Sequence, residues 1–168
     1  SGHACDPLHD TDNFTLLMSQ LRETLGKRYL VTYAGYVKDK VVGEDGTSKY
    51  FDLKALKDIV DYVNVMTYDL DAAPHHHSAI DDPTAYWDWK RTFEEYEKAG
   101  FPKEKMIFGV PFYARHSFSE SPTSIDYKKV LTLDESLYKT IGMKRPNVRT
   151  FLSELLVLSM PVMTTLKA

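Results

Sequence analysis

Two stretches hold the residues whose types and spacing could do chemistry. "YVNVMTYDL", Tyr62 to Leu70, is a mostly apolar, β-branched run that stops on a phenol and a carboxylate side by side, Tyr68 and Asp69. "KMIFGVPFYAR" closes on Tyr113 and the guanidinium of Arg115. A polar pair at the end of an apolar strand either caps the next turn, here the one into "DAAP", or forms the floor of a binding site. Taken alone, Tyr68 and Asp69 read as a turn cap. With "GVPFYAR" present as a second polar strand end, the binding-site reading is the stronger one.

A third group invites a metal-site reading. His75, His76 and His77 are followed by Asp81 and Asp82, and imidazole and carboxylate are both zinc ligands. Consecutive histidines on a loop point in different directions, however, and a ligand set needs spaced residues on a rigid element. The triplet is therefore expected on a solvated loop that could rim a cleft, with no metal and no cofactor.

The elements that must position these residues follow from periodicity. In "DTDNFTLLMSQLRETLG", Phe14, Leu17, Met18, Leu21 and Leu25 recur at helical spacing, with Asp12 placed as the cap and Gly26 as the stop. "RYLVTYAGYV" from Arg28 reads as a strand, and "KDKVVGEDGTSK" as a polar loop. Phe51, Leu53, Leu56, Ile59 and Val60 make a short amphipathic helix that runs into "DYVNVMTYDL". A helix from Thr84 to Ala99, with Trp87, Phe93 and Tyr96 on one face, ends at Gly100 and Pro102 before "KMIFGVPFYAR". The order helix, strand, helix, strand, helix, strand, with nearly continuous apolar strands, is that of an α/β fold: a parallel sheet covered by helices. Ligands in such folds bind at the carboxyl ends of the strands. Here those ends, "TYAGY", "MTYDL" and "PFYAR", each carry a tyrosine, which favours one shared cleft. Beyond Arg115 the pattern fades into an irregular excursion with a short helix or hairpin, then an apolar run broken by Pro161.

Composition narrows the function classes. At 168 residues one domain is expected, and 43% hydrophobic with 27% charged residues is ordinary for a globular protein. A net charge of −3 offers no basic patch, which argues against nucleic acid. The longest apolar stretch, Leu155 to Met163, is far short of the roughly 20 residues of a membrane span. The 11 Tyr, 8 Phe and 2 Trp suit a carbohydrate-binding cleft, although core and rim packing is the commoner use of any one ring. Trp87 and Trp89 read as helix packing. Cys5, the single cysteine, can form no internal disulfide.

"DYVNVMTYDL" followed by a helix and "AGFPKEKMIFGVPFYAR" resembles the sixth and seventh strand region of the chitinase-like family 18 glycoside hydrolases. "DTDNFTLLMSQLRETLG" resembles the helix after their fourth strand. The resemblance covers residues 10–115, about two thirds of the chain. It implies a (β/α)8 TIM-barrel family, with this chain as an incomplete C-terminal part, about strands five to seven with their helices. Residues 1–168 would then be a single partial glycoside hydrolase domain, in which 116–168 are an insertion-like segment and an atypical tail.

The implied chemistry is retaining hydrolysis of β-1,4-linked N-acetylglucosamine with the substrate's own acetamido group as nucleophile. Tyr68 would hydrogen-bond the acetamido carbonyl. Asp69 would stabilise the positive charge of the oxazolinium ion. Met66 would pack under the sugar ring, and Tyr113 and Arg115 would line the sugar cleft, with Ala114 in place of the family's usual glycine. The implied partner is chitin or an N-acetylglucosamine oligosaccharide, and the implied parent protein is secreted.

One part is missing. The family's acid closes an Asp-x-x-Asp-x-Asp-x-Glu motif just upstream of the first helix, and that spacing occurs nowhere in the 168 residues. The strand-eight segment with its tryptophan is missing too. The chain is therefore expected to be an internal piece of a longer gene or a truncated reading frame, with the tail after Asn147 out of frame. Two functions stay open: a fragment of a chitinase-type enzyme, inactive alone, or a non-catalytic, lectin-like binder of the same sugar.

Overall fold

The computed structural model describes residues 5–72, 75–130 and 132. The expectation about the tail after Asn147 lies outside the described residues. Among the described residues two compact units are formed, residues 5–66 with 91–109, and residues 67–72 and 75–90 with 110–130 and 132.

In the first unit, α1 spans Asp10–Leu25. It starts two residues before Asp12, so Asp12 lies in the first turn and is not the cap. Its negative charge there still complements the positive end of the helix dipole. Gly26, at φ 60°, ends the helix and donates its N–H to the Arg22 carbonyl, as the sequence predicts. Strand β1, Thr32–Gly35, is followed by the residues expected as a loop, which instead form a small hairpin, β2 (Val41–Val42) with β3 (Ser48–Lys49). Its turn is made by Asp45, whose Oδ1 accepts from the Thr47 N–H and hydroxyl, and by Gly46 at φ 79°. Such Asx geometry builds a hairpin where hydrophobic alternation is too short to announce one.

Helix α2, Leu53–Leu56, is capped by Asp52, whose Oδ1 accepts the Ala55 N–H at 2.9 Å. Leu53, Leu56 and Val60 are fully buried, each contributing about 2 kcal/mol of hydrophobic stabilisation. Strand β4, Tyr62–Val65, pairs in parallel with β1 on one side and with β5, Met106–Phe108, on the other. The order β1-β4-β5 follows the order of these three strands along the chain, with the β2–β3 hairpin lying outside the sheet. Tyr33, Val63 and Val65 face a core with Met18, Leu53, Leu56, Tyr96 and Phe101. On the other face Thr32, Ala34, Tyr62, Asn64 and Ile107 are exposed. Helices thus cover one face of the sheet among the described residues. No closed barrel is present among them.

Helix α3 spans Trp89–Lys98, five residues shorter at its start than the periodicity implies. The reason is local: Asp82 Oδ1 accepts both the N–H and the hydroxyl of Thr84, and the Ala85 N–H returns to the Asp82 carbonyl. Residues 82–85 are committed to a turn, which competes with helix.

In the second unit, β6 (Tyr113–Arg115) pairs antiparallel with β7 (Ser124–Asp126), and one helical turn follows, α4, Tyr127–Val130. The expected short helix or hairpin is present as both. "KMIFGVPFYAR" is therefore not one strand. It breaks over Gly109, Val110 and Pro111, and proline has no N–H to give a ladder. The residues after the break pair with a different partner.

Candidate active site

Strand β4 stops at Val65, so Tyr68 and Asp69 stand beyond the strand, not on its last residues. Asp69 turns the chain sharply, at φ 58°, a left-handed conformation that aspartate tolerates better than most residues. This corner belongs to the second unit and is held by the segment around His77. The Leu70 N–H donates to the His77 carbonyl at 3.0 Å, and the Asp69 N–H to His77 Nδ1 at 3.3 Å. The Thr67 carbonyl accepts from the Ser78 hydroxyl and, at 3.1 Å, from the Trp89 indole N–H, which also reaches Ser78 Oγ at 3.0 Å.

The Asp69 carboxylate is gripped from β6. Its Oδ1 accepts from the Tyr113 phenol at 2.7 Å and from Arg115 Nε at 2.9 Å, and Arg115 Nη2 lies 2.6 Å from the same oxygen as an ion-pair contact. All three contacts converge on one oxygen. Among the described residues Oδ2 has no hydrogen-bonding partner, so the carboxylate is fixed in place with one oxygen left for a ligand. The Tyr68 ring meets that of Tyr113 edge to face, centroids 6.4 Å apart. Arg115 also lies 5.5 Å from the Tyr113 ring centre and 5.4 Å from that of Phe118. Such cation–π contacts add orientation to charge. Burial, then the neighbouring Asp69 carboxylate, raises the Tyr113 pKa well above that of a free phenol, so it remains a donor. Burial works against the Arg115 charge, but the bonds to Asp69 prevail and hold its pKa above the ordinary value.

Four of the five predicted residues, Tyr68, Asp69, Tyr113 and Arg115, are thus brought into one cluster. The fifth, Met66, belongs to the first unit, where it lines a groove of about 850 Å³ with Phe14, Phe51 and the stacked rings of Tyr36 and Tyr50, 5.0 Å apart. Tyr33, in "TYAGY", is a core residue instead. The Ala114 methyl is buried in β6, opposite Ile125 in the hairpin register.

The histidine triplet needs correction. His75 is exposed and His76 half-buried, but His77 is only 4% exposed and its ring packs on Tyr113 at 5.1 Å. A solvated loop is wrong for that residue. Its side chain follows the Thr67–Leu70 corner inward, a partnership eight residues long that no periodicity could reveal. Burial lowers its pKa below 6.5, so the ring is neutral.

The profile of glycosyl hydrolases family 18 matches residues 4–148. The chain belongs to that family. Chitinase A1 of Niallia circulans is 32% identical over 128 residues, which cover 63% of this chain and 17% of that protein. The chitinase-like mite allergen Der p 18.0101 of Dermatophagoides pteronyssinus is 29% identical over 106 residues, 63% of this chain and 21% of that protein. Among solved structures, chitinase ChiW of Paenibacillus sp. str. FPU-7 superposes with a TM-score of 0.59 at 28% identity, covering 72% of this chain and 17% of that one. The chitinase domain of the spore coat protein CotE of Clostridium difficile has the same fold, with a TM-score of 0.63 at 23% identity over 84% of this chain and 41% of that one. This family 18 chain thus spans about a fifth of the length of the curated relatives it matches.

Proposed function

We propose that this chain is the acetamido-binding part of a chitinase-type family 18 hydrolase. The parent enzyme cleaves β-1,4-linked N-acetylglucosamine polymers outside the cell, where such a polymer is met. In the reaction the acetamido carbonyl oxygen attacks the anomeric carbon as the glycosidic bond breaks, and the leaving oxygen takes a proton from a glutamic acid. Tyr68 donates its phenol to that carbonyl and holds it for attack. Asp69, through its open Oδ2, stabilises the cationic ring that forms. Tyr113 and Arg115 keep that carboxylate oriented. Met66, with the flat faces of Tyr36 and Tyr50 in its groove, offers apolar surface for the C–H faces of sugar rings.

The observation that carries this reading is the convergence on Asp69 Oδ1, beside Tyr68, of two hydrogen bonds and the Arg115 ion pair. The acid motif is absent from these residues, so the chain as it stands binds the sugar without cutting it. Titration calorimetry with N-acetylglucosamine tetramer tests this, with the glucose tetramer as control. Binding of the first alone, weakened in Tyr68→Phe and Asp69→Asn, with no oligomer cleaved over days, is the expected result. Equal affinity for both sugars, or turnover that Tyr68→Phe abolishes, would overturn it.

A further inference from the structure

We propose that His77 is a positioning residue whose neutral ring, protonated on Nε2 only, holds the main chain at Asp69 in the left-handed turn that delivers the carboxylate to Tyr113 and Arg115. Both of its polar partners belong to the backbone and have fixed polarity. The Asp69 N–H can only donate, so Nδ1, 3.3 Å away, must accept. The Tyr113 carbonyl can only accept, so Nε2, 3.2 Å away, must donate. One tautomer satisfies both and the imidazolium satisfies only the second. His77 thus ties together the two main chains that carry the clamp, one at Asp69 and one at Tyr113. The αL turn at Asp69 is disfavoured for a non-glycine residue unless something holds it, and the ring supplies that hold from a buried position.

Protonation undoes the arrangement. A proton on Nδ1 faces the Asp69 N–H donor and turns toward Asp69 Oδ1, 3.6 Å away, in competition with Tyr113 and Arg115. The groups that face the ring act in both directions. Burial, Arg115 and His76 resist its protonation, while the Tyr113 carbonyl and the Asp69 carboxylate favour it, and burial dominates. The consequence for sugar binding rests on the reading of the preceding subsection; the tautomer and the hold on Asp69 do not.

The test uses the full chain. Imidazole nitrogen NMR at pH 7.5 reads the tautomer directly in the unaltered protein, and amide hydrogen exchange reads the hold on Asp69. His77→Asn keeps an acceptor near Nδ1, and His77→Gln keeps a donor near Nε2. The Asp69 amide should stay protected in His77→Asn and exchange at least about fivefold faster in His77→Gln. Affinity for N-acetylglucosamine tetramer should fall in the unaltered chain as His77 titrates and stay level over that range in His77→Asn. An Nδ1–H or charged ring at pH 7.5, or equal Asp69 exchange in all three proteins, overturns the assignment. An Nε2–H ring with the Asn/Gln difference intact and no sugar bound supports it and sinks the functional reading instead.

Discussion

The Tyr113 phenol donates to the same carboxylate oxygen of Asp69, at 2.7 Å, that Arg115 reaches with two nitrogens, 44 and 46 residues along the chain from it. The two partners do different work. Arg115 supplies a planar fork and a charge, and Tyr113 supplies direction. Tyr113→Phe should leave the ion pair standing and weaken tetramer binding by about fivefold, the size of one neutral donor. Arg115→Lys keeps the charge but loses the fork, and should cost more than Tyr113→Phe despite its conservative chemistry. Calorimetry on the two variants decides; a larger loss in Tyr113→Phe would show that the phenol, not the guanidinium, fixes Asp69.

The neutral His77 ring should also appear in the pH dependence of stability. Its pKa in the fold is lowered from 6.5, so the unfolded chain takes up a proton that the folded chain refuses. The stability it contributes is complete above about pH 7 and is lost as the pH falls through 6.5 toward the lower folded value. His9 titrates with the opposite sign, since Asp6 raises its pKa, but that pair is exposed and weak. Urea midpoints measured at pH 7.5 and 5.5 should therefore fall in the unaltered chain and change much less in His77→Asn. An equal fall in both would remove His77 as the cause.

Much of the first unit was legible in the sequence because its residues obey one period at a time. Leu53 and Leu56 mark α2 at helical spacing, Val60 follows just beyond its end, and all three are buried. The α/β order and the polar ends at Tyr68, Asp69, Tyr113 and Arg115 were visible for the same reason. Two features were hidden because local hydrogen bonds overrode pattern, the Asp45 turn that makes a hairpin and the Asp82 turn that shortens α3, and a third because Pro111, with no N–H to give, splits an apparently continuous strand. His77 was hidden for another reason. Its partners are backbone groups at Asp69 and Tyr113, and backbone groups leave no trace in residue type.

Asp61 joins three elements of the first unit, and its loss should be felt throughout that unit. Its Oδ2 accepts from Arg22 Nη2 on α1 at 2.5 Å and from the Val31 N–H at 2.7 Å, while its own N–H returns to the Val31 carbonyl. These bonds, that from Val31 first, hold its carboxyl below the usual range. Asp61→Asn removes the charge and one acceptor from a partly exposed site, so about 1 to 2 kcal/mol is expected from urea unfolding at pH 7. The loss should shrink as the pH falls below the carboxylate range, where the native Asp61 is itself protonated. A loss that persists unchanged at low pH would mean that packing, not the ion pair, is what the residue supplies.

Gly35 on strand β1 faces Tyr96 of α3 at close quarters. A methyl group built there would stand 2.5 Å from Tyr96 Oη and 2.5 Å from Val63 Cγ2, well inside van der Waals contact. Tyr96 cannot easily withdraw, because it is fully buried and its hydroxyl donates to the Tyr36 carbonyl at 2.7 Å. Val63 is fully buried as well. Gly35→Ala should therefore destabilise the chain by about 1 to 3 kcal/mol, the range of an overpacked core. Tyr96→Phe removes one of the two clashing atoms at the cost of its hydrogen bond. The double variant should accordingly be less unstable than the sum of the two single ones, by about 0.5 kcal/mol or more. Strict additivity in denaturant unfolding would show that the clash falls on Val63 alone and that the Tyr96 hydroxyl yields freely.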